Sequence, residues 1–155
     1  MRGLLKFLSI MAILAAMYYA RYSLTFWKVE QESSFFVTDA VTKITGDWSV
    51  AAFNIFADHS FKSNADIVGR LADYKKLGAL AKPPACALDN FDAYKYEGTS
   101  ANYIGATYQC QVVFKNAPAT IQLVILRYED TADWKISDFR VYSSYLPKAS
   151  QNGRP

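Results

Sequence analysis

The stretch from Phe7 to Ala20 contains no charged residue, and Arg2, Lys6, Arg21 and Lys28 flank it with no acid before Glu30. A helix apolar on every side needs a bilayer or a protein core around it, which constrains this chain more than any other feature. The 155 residues include 17 basic and 14 acidic side chains, a formal net charge of +3. From Glu30 onward the two signs nearly cancel, so the positive excess belongs to the leader. Basic residues beside an apolar run mark the cytoplasmic flank of a membrane segment. They do not form the clustered basic patch of a nucleic-acid groove, and no nucleic-acid partner is expected.

A run of this size also occurs in cleaved signal peptides. Cleavage requires small side chains at −3 and −1, and Met1–Thr25 holds no Ala-x-Ala: Tyr18 stands two before Ala20, and Leu14 two before Ala16. A lipoprotein signal requires a cysteine just after the run, whereas the two cysteines are Cys86 and Cys110. The uncleaved anchor is therefore preferred. Residues 4–20 span about 25 Å as a helix, Lys6 can snorkel to the headgroups, and Tyr18, Tyr19, Tyr22, Phe26 and Trp27 form an interfacial belt. Arg2 and Lys6 favour a cytoplasmic N-terminus, although Arg21 and Lys28 lessen the asymmetry. The expectation is a single-pass inner-membrane protein held through residues 4–20, with its C-terminal domain in the periplasm. Its segments are an anchor with interfacial flank (1–29), one domain (30–146) and a flexible polar tail (147–155).

Tyr94–Glu97 and Asn102–Phe114 read as strands around a turn at Glu97-Gly98-Thr99. Cys86 and Cys110 are equally distant from Gly98, so a hairpin folded there sets them opposite one another, within reach of a disulfide. An oxidising compartment would close that bond. The plainer alternative is two small buried apolar side chains, but beside this leader the Cys86–Cys110 bridge is the preferred reading. Two cysteines and one histidine cannot supply the four protein ligands of a structural zinc site, so no metal is expected.

Apolar residues at Val37, Val41, Ile44, Trp48, Ala51 or Ala52 and Ile55 recur at helical spacing. Gly46 interrupts them and Asp47 can cap the next helix, predicting helices over 34–45 and 48–57. A third runs from an Asn64 cap, with Asp66 in its first turn and a stripe of Ile67, Leu71, Tyr74 and Leu77. Gly78 ends it, and Pro83-Pro84 forbids its resumption. Strands succeed it at 103–114, 120–128 and 134–145, separated by turns at 115–118 and 129–133. The run of Ile121, Leu123, Val124, Ile125 and Leu126 (broken by no charge) predicts a central strand covered on both faces. The fold class is α+β: an N-terminal transmembrane helix, then about three helices on an antiparallel sheet of about four strands.

Helices leading into a meander, with Gly46-Asp47-Trp48 between the first helices, Tyr74-Lys75-Lys76-Leu77-Gly78 closing the third, and an acidic turn before Trp134-Lys135-Ile136, resemble the nuclear transport factor 2-like (cystatin-like fold) superfamily. The resemblance covers about residues 34–145 and is nearest to small membrane-tethered or periplasmic bacterial members. It implies a curved sheet wrapped around the helices, leaving a cone-shaped pocket. It also implies a possible homodimer. One relative of this layout is the bitopic assembly factor of type IV secretion systems, a scaffold, while the superfamily's isomerases and cyclases use an Asp or His inside the cone.

Asp47, Asp58, His59 and Asp138 are the residues of that type here. Asp47 is explained as a cap, and Asp58-His59 as a solvated loop. If Trp134 and Ile136 face inward, strict alternation takes Asp138 inward too, making it the weak candidate for a general base. Pairing with Arg127 or Arg140 is the favoured alternative. Trp48, Phe53, Phe56, Tyr74, Tyr108, Trp134 and Tyr142 are candidate pocket-lining residues, with core packing the plainer reading. Tyr94, Tyr96, Tyr103, Tyr108, Tyr142 and Tyr145 form a tyrosine-rich sheet face suited to protein contact. Neither a phosphate-binding glycine loop nor a Gly-x-Ser-x-Gly elbow occurs, and no cofactor is expected. The function favoured is a non-catalytic, membrane-anchored binding or assembly module with a protein partner in the cell envelope. The alternatives are a binder of a small apolar ligand in the cone, and an isomerase- or cyclase-like enzyme using Asp138.

Overall fold

Between Gly3 and Gly46 there is neither glycine nor proline, and α1 runs unbroken over Arg2–Asp47. The computed structural model describes residues 2–62, 65–95, 102–128 and 131–147; Asn64, Tyr96, the turn at Gly98, and the 148–155 part of the expected tail lie outside them. The chain divides into two units, Met1–Glu32 and Ser33–Pro155. Within the first, α1 is long and apolar enough to cross a membrane, and none of its most apolar window is buried. The separate helix expected from residue 34 is thus the continuation of α1, because nothing between Arg21 and Ser33 interrupts helical hydrogen bonding.

In the second unit α1 buries Ser33, Val37, Ala40, Val41, Ile44 and Thr45, a stripe at intervals of three and four. Its end departs from the expectation. Trp48 takes φ +52°, and its N–H donates to the Ile44 carbonyl at 2.7 Å, an αL cap normally given to glycine. Ser49, not Asp47, caps α2 (Val50–Phe56), accepting from the Ala52 N–H at 3.0 Å. The turn at Trp48 rephases the stripe, so Phe53 and Phe56 are buried while Ile55 is exposed. The one-turn α3 (His59–Lys62) and α4 (Ala65–Tyr74) come next, and a 3₁₀ turn (Lys75–Leu77) stops at Gly78, φ +83°.

The four strands β1 (Ala85–Lys95), β2 (Asn102–Val113), β3 (Pro118–Tyr128) and β4 (Lys135–Tyr142) form an open antiparallel sheet in sequential order. β1 starts well before the Tyr94 expected for it. Both outer strands are bulged. Asp89 is extra between Leu88↔Tyr108 and Asn90↔Thr107, and Ser137 is extra between Ile125↔Ile136 and Val124↔Asp138. β3 is not covered on both faces as expected. Ala119, Ile121, Leu123 and Ile125 are buried toward the core, whereas Gln122, Val124 and Leu126 on the other face are half-buried.

The free edge of β4 is closed from the helical side. Ala57 bridges Ile136, the Asp58 N–H donates to the Ile136 carbonyl at 2.8 Å, and Arg70 Nη1 reaches the Phe139 carbonyl at 3.5 Å. These contacts satisfy backbone groups that an edge strand otherwise presents to a neighbouring chain.

Candidate functional site

The space between helices and sheet is where the resemblance implies a pocket. A continuous chain of rings runs through it: Phe61–Phe53 at 5.3 Å between centroids, Phe53–Phe139 at 5.9 Å, Phe139–Tyr74 at 6.5 Å, Tyr74–Trp48 at 5.8 Å and Trp48–Phe114 at 5.5 Å. Such tilted and edge-on pairs contribute about 0.5–1.5 kcal/mol each beyond their burial. Of the seven candidate lining residues, Trp48, Phe53, Phe56, Tyr74, Tyr108 and Trp134 are buried. Two polar contacts between residues distant in sequence engage the polar tips of buried aromatics. Trp48 Nε1 donates to the Gly78 carbonyl at 3.4 Å, and the Tyr108 hydroxyl meets Ser33 Oγ at 2.8 Å, both groups buried. The Ser33–Tyr108 pair was not legible in the sequence, since 75 residues separate its members.

Burial pushes the Tyr74 hydroxyl above its ordinary pKa, opposed by a hydrogen bond with the Val141 backbone and by the nearby Arg70 guanidinium. Tyr74 is therefore a neutral, polar-tipped core residue rather than an acid poised near neutrality.

Asp138 lies on the face away from the helices. The bulge at Ser137 breaks the alternation from Ile136, so Phe139 and Val141 take the buried positions and Asp138 turns outward with Arg140. Residues two apart on a strand share a face, and Arg140 Nε sits 2.8 Å from Asp138 Oδ2. The second carboxylate oxygen accepts from the Phe139 N–H at 2.9 Å. Asp138 holds the Arg140 guanidinium above its ordinary pKa. Of the two partners weighed for Asp138, the ion pair is with Arg140, while Arg127 lies over the Trp134 ring at 4.8 Å.

The remaining acid–base candidates have local explanations. Asp47 is the exposed last residue of α1. The carbonyl of Asp58 accepts from the Phe61 and Lys62 N–H groups, both at 3.0 Å, and exposed His59 opens α3. Among the described residues no three His, Cys, Asp or Glu side chains come together as a metal site.

Among the described residues, two hollows open on the side of the sheet away from the helices. One, about 280 Å³, crosses the strands at Gly105 and is lined by Asp92, Tyr103, Thr107, Val124, Leu126 and Ser137 among others. The other, about 550 Å³, lies by the 115–118 turn, between Lys82, Gln111, Val113, Pro118, Thr120 and Tyr142. Tyr103 packs against Tyr128 at 6.1 Å, and the register sets Tyr94 opposite Tyr103. The Tyr142 hydroxyl approaches Gln122 Oε1 at 3.4 Å. Tyr103 and Tyr142 thus share this face, Tyr145 is exposed just after β4, and Tyr108 points the other way into the core.

Cys86 and Cys110 stand directly opposite one another on β1 and β2 and are joined as a disulfide. Cys110 is fully buried and Cys86 half-buried. Comparison with protein-family models, with curated proteins and with solved structures returns no match to this chain.

Proposed function

We propose that this chain is a single-pass protein of the inner membrane whose C-terminal domain, of nuclear transport factor 2-like build, stands in the periplasm as a non-catalytic binding or assembly module. The Phe61-to-Phe114 ring chain carries this reading: its side chains are engaged with one another between helices and sheet, while the hollows among the described residues open on the outer sheet face. That face combines tyrosines, glutamines and two hollows, a mixture suited to a protein partner. The disulfide fits an oxidising compartment, and the exposed apolar helix fits an anchor. An Asp138 turned outward and paired with Arg140 gives less support to a base-catalysed isomerase or cyclase. A ligand binder would need the ring chain to part.

The test places a photo-crosslinking residue at Tyr103 or Tyr142 in the full-length protein in intact cells, with exposed Ile55 as the control position. Adducts with one envelope protein from both tyrosine positions, and none from Ile55, are expected. Absence of adducts while a small apolar molecule copurifies would overturn the module reading in favour of the ligand binder.

A further inference from the structure

β1 is attached differently from the other strands. β2, β3 and β4 each place three or more apolar side chains in the core, whereas Leu88 is the one buried among the described side chains of β1. β2 is its principal packing partner. The ladder between them is interrupted at Asp89, three residues from Cys86. The covalent link to Cys110 therefore carries a larger share of the attachment here than it would on a strand with its own core face.

We propose that the Cys86–Cys110 bond is a redox latch on the edge strand: closed, it locks β1 onto β2; opened to two thiols, it lets β1 leave while β2, β3, β4 and the helices stay folded. Opening takes two electrons and two protons from an external dithiol. One thiolate of the reductant attacks Cys86 Sγ, the half-buried sulfur; the S–S bond breaks and Cys110 leaves as a thiolate that takes a proton. The second thiol then displaces Cys86, and the reductant departs as a disulfide. A thiolate leaving into the fully buried Cys110 site is unfavourable while β1 is docked, so strand and bond protect one another. The domain completes its four-stranded sheet only where thiols are oxidised. This device stands apart from the partner-binding reading, since it concerns β1 and not the face of the sheet.

Hydrogen exchange on the full-length protein in detergent compares the oxidised form with protein held in dithiothreitol, and with the C86A/C110A variant under oxidising conditions. Amides of 85–95 are expected to exchange faster by on the order of tenfold in both the reduced protein and the variant, with β3 and β4 unchanged. Equal protection of β1 in all forms overturns the proposal, because the bond would then be passive. So does equal acceleration of all four strands, because the bond would then hold the whole domain.

Discussion

Trp48 holds a backbone conformation that costs a non-glycine residue about 1–2 kcal/mol, and its indole links Tyr74 to Phe114. Trp48→Gly would relax the backbone yet empty the ring chain, and is expected to lose about 3 kcal/mol, read as a lower urea midpoint. Tyr74 gives a pH signature. Its pKa is raised by folding, so its contribution is fully present below the ordinary tyrosine value near 10 and is lost as pH rises above it. Tyr74→Phe should make the fall in stability on alkaline titration shallower. Asp138→Asn is expected to change stability by at most about 1 kcal/mol, since the ion pair with Arg140 is partly exposed. Core packing was the plainer reading of the candidate aromatics, and six of those seven are buried. The direction of Asp138 was not legible, because a bulge is set by how two distant strands align and leaves no mark in residue type.

Gly78 shows what an element boundary demands. Its φ of +83° favours glycine, and a Cβ there would stand 3.3 Å from Asn116 Nδ2 and Lys115 Cβ. Gly78→Ala is expected to cost about 1–3 kcal/mol by thermal melting. This stop was readable, as were the α4 stripe, the strand count and the pairing of Cys86 with Cys110. The pairing depends on the bulge: the pairs from Lys95↔Asn102 to Asn90↔Thr107 are one residue out of the register that sets Cys86 opposite Cys110, and the extra Asp89 restores it. The continuity of α1 does not show in apolar spacing, because polar residues separate the leader's run from Val37–Ile44 and imitate a boundary. A helix needs no apolar residues to continue, only the absence of breakers.

For the whole molecule, the proposed anchoring makes a direct demand on α1. Replacing Ile13 and Leu14 with lysine puts two charges near mid-span, each unfavourable by about 2.5–3.5 kcal/mol on insertion scales. The doubly substituted chain is expected to wash off membranes at alkaline pH, where the parent chain stays. Retention of the variant would sink the anchor reading. The bulges have a separate consequence for how this chain tolerates changes in length. Asp89 and Ser137 are the residues by which β1 and β4 exceed their partners, whereas β2 and β3 match one another residue for residue. Losing either one would regularise its ladder and leave every other side chain on its present face. Losing any single residue from the middle of β2 or β3 would turn half the strand inside out. The two outer strands can each shorten by one residue, and the two inner strands by none.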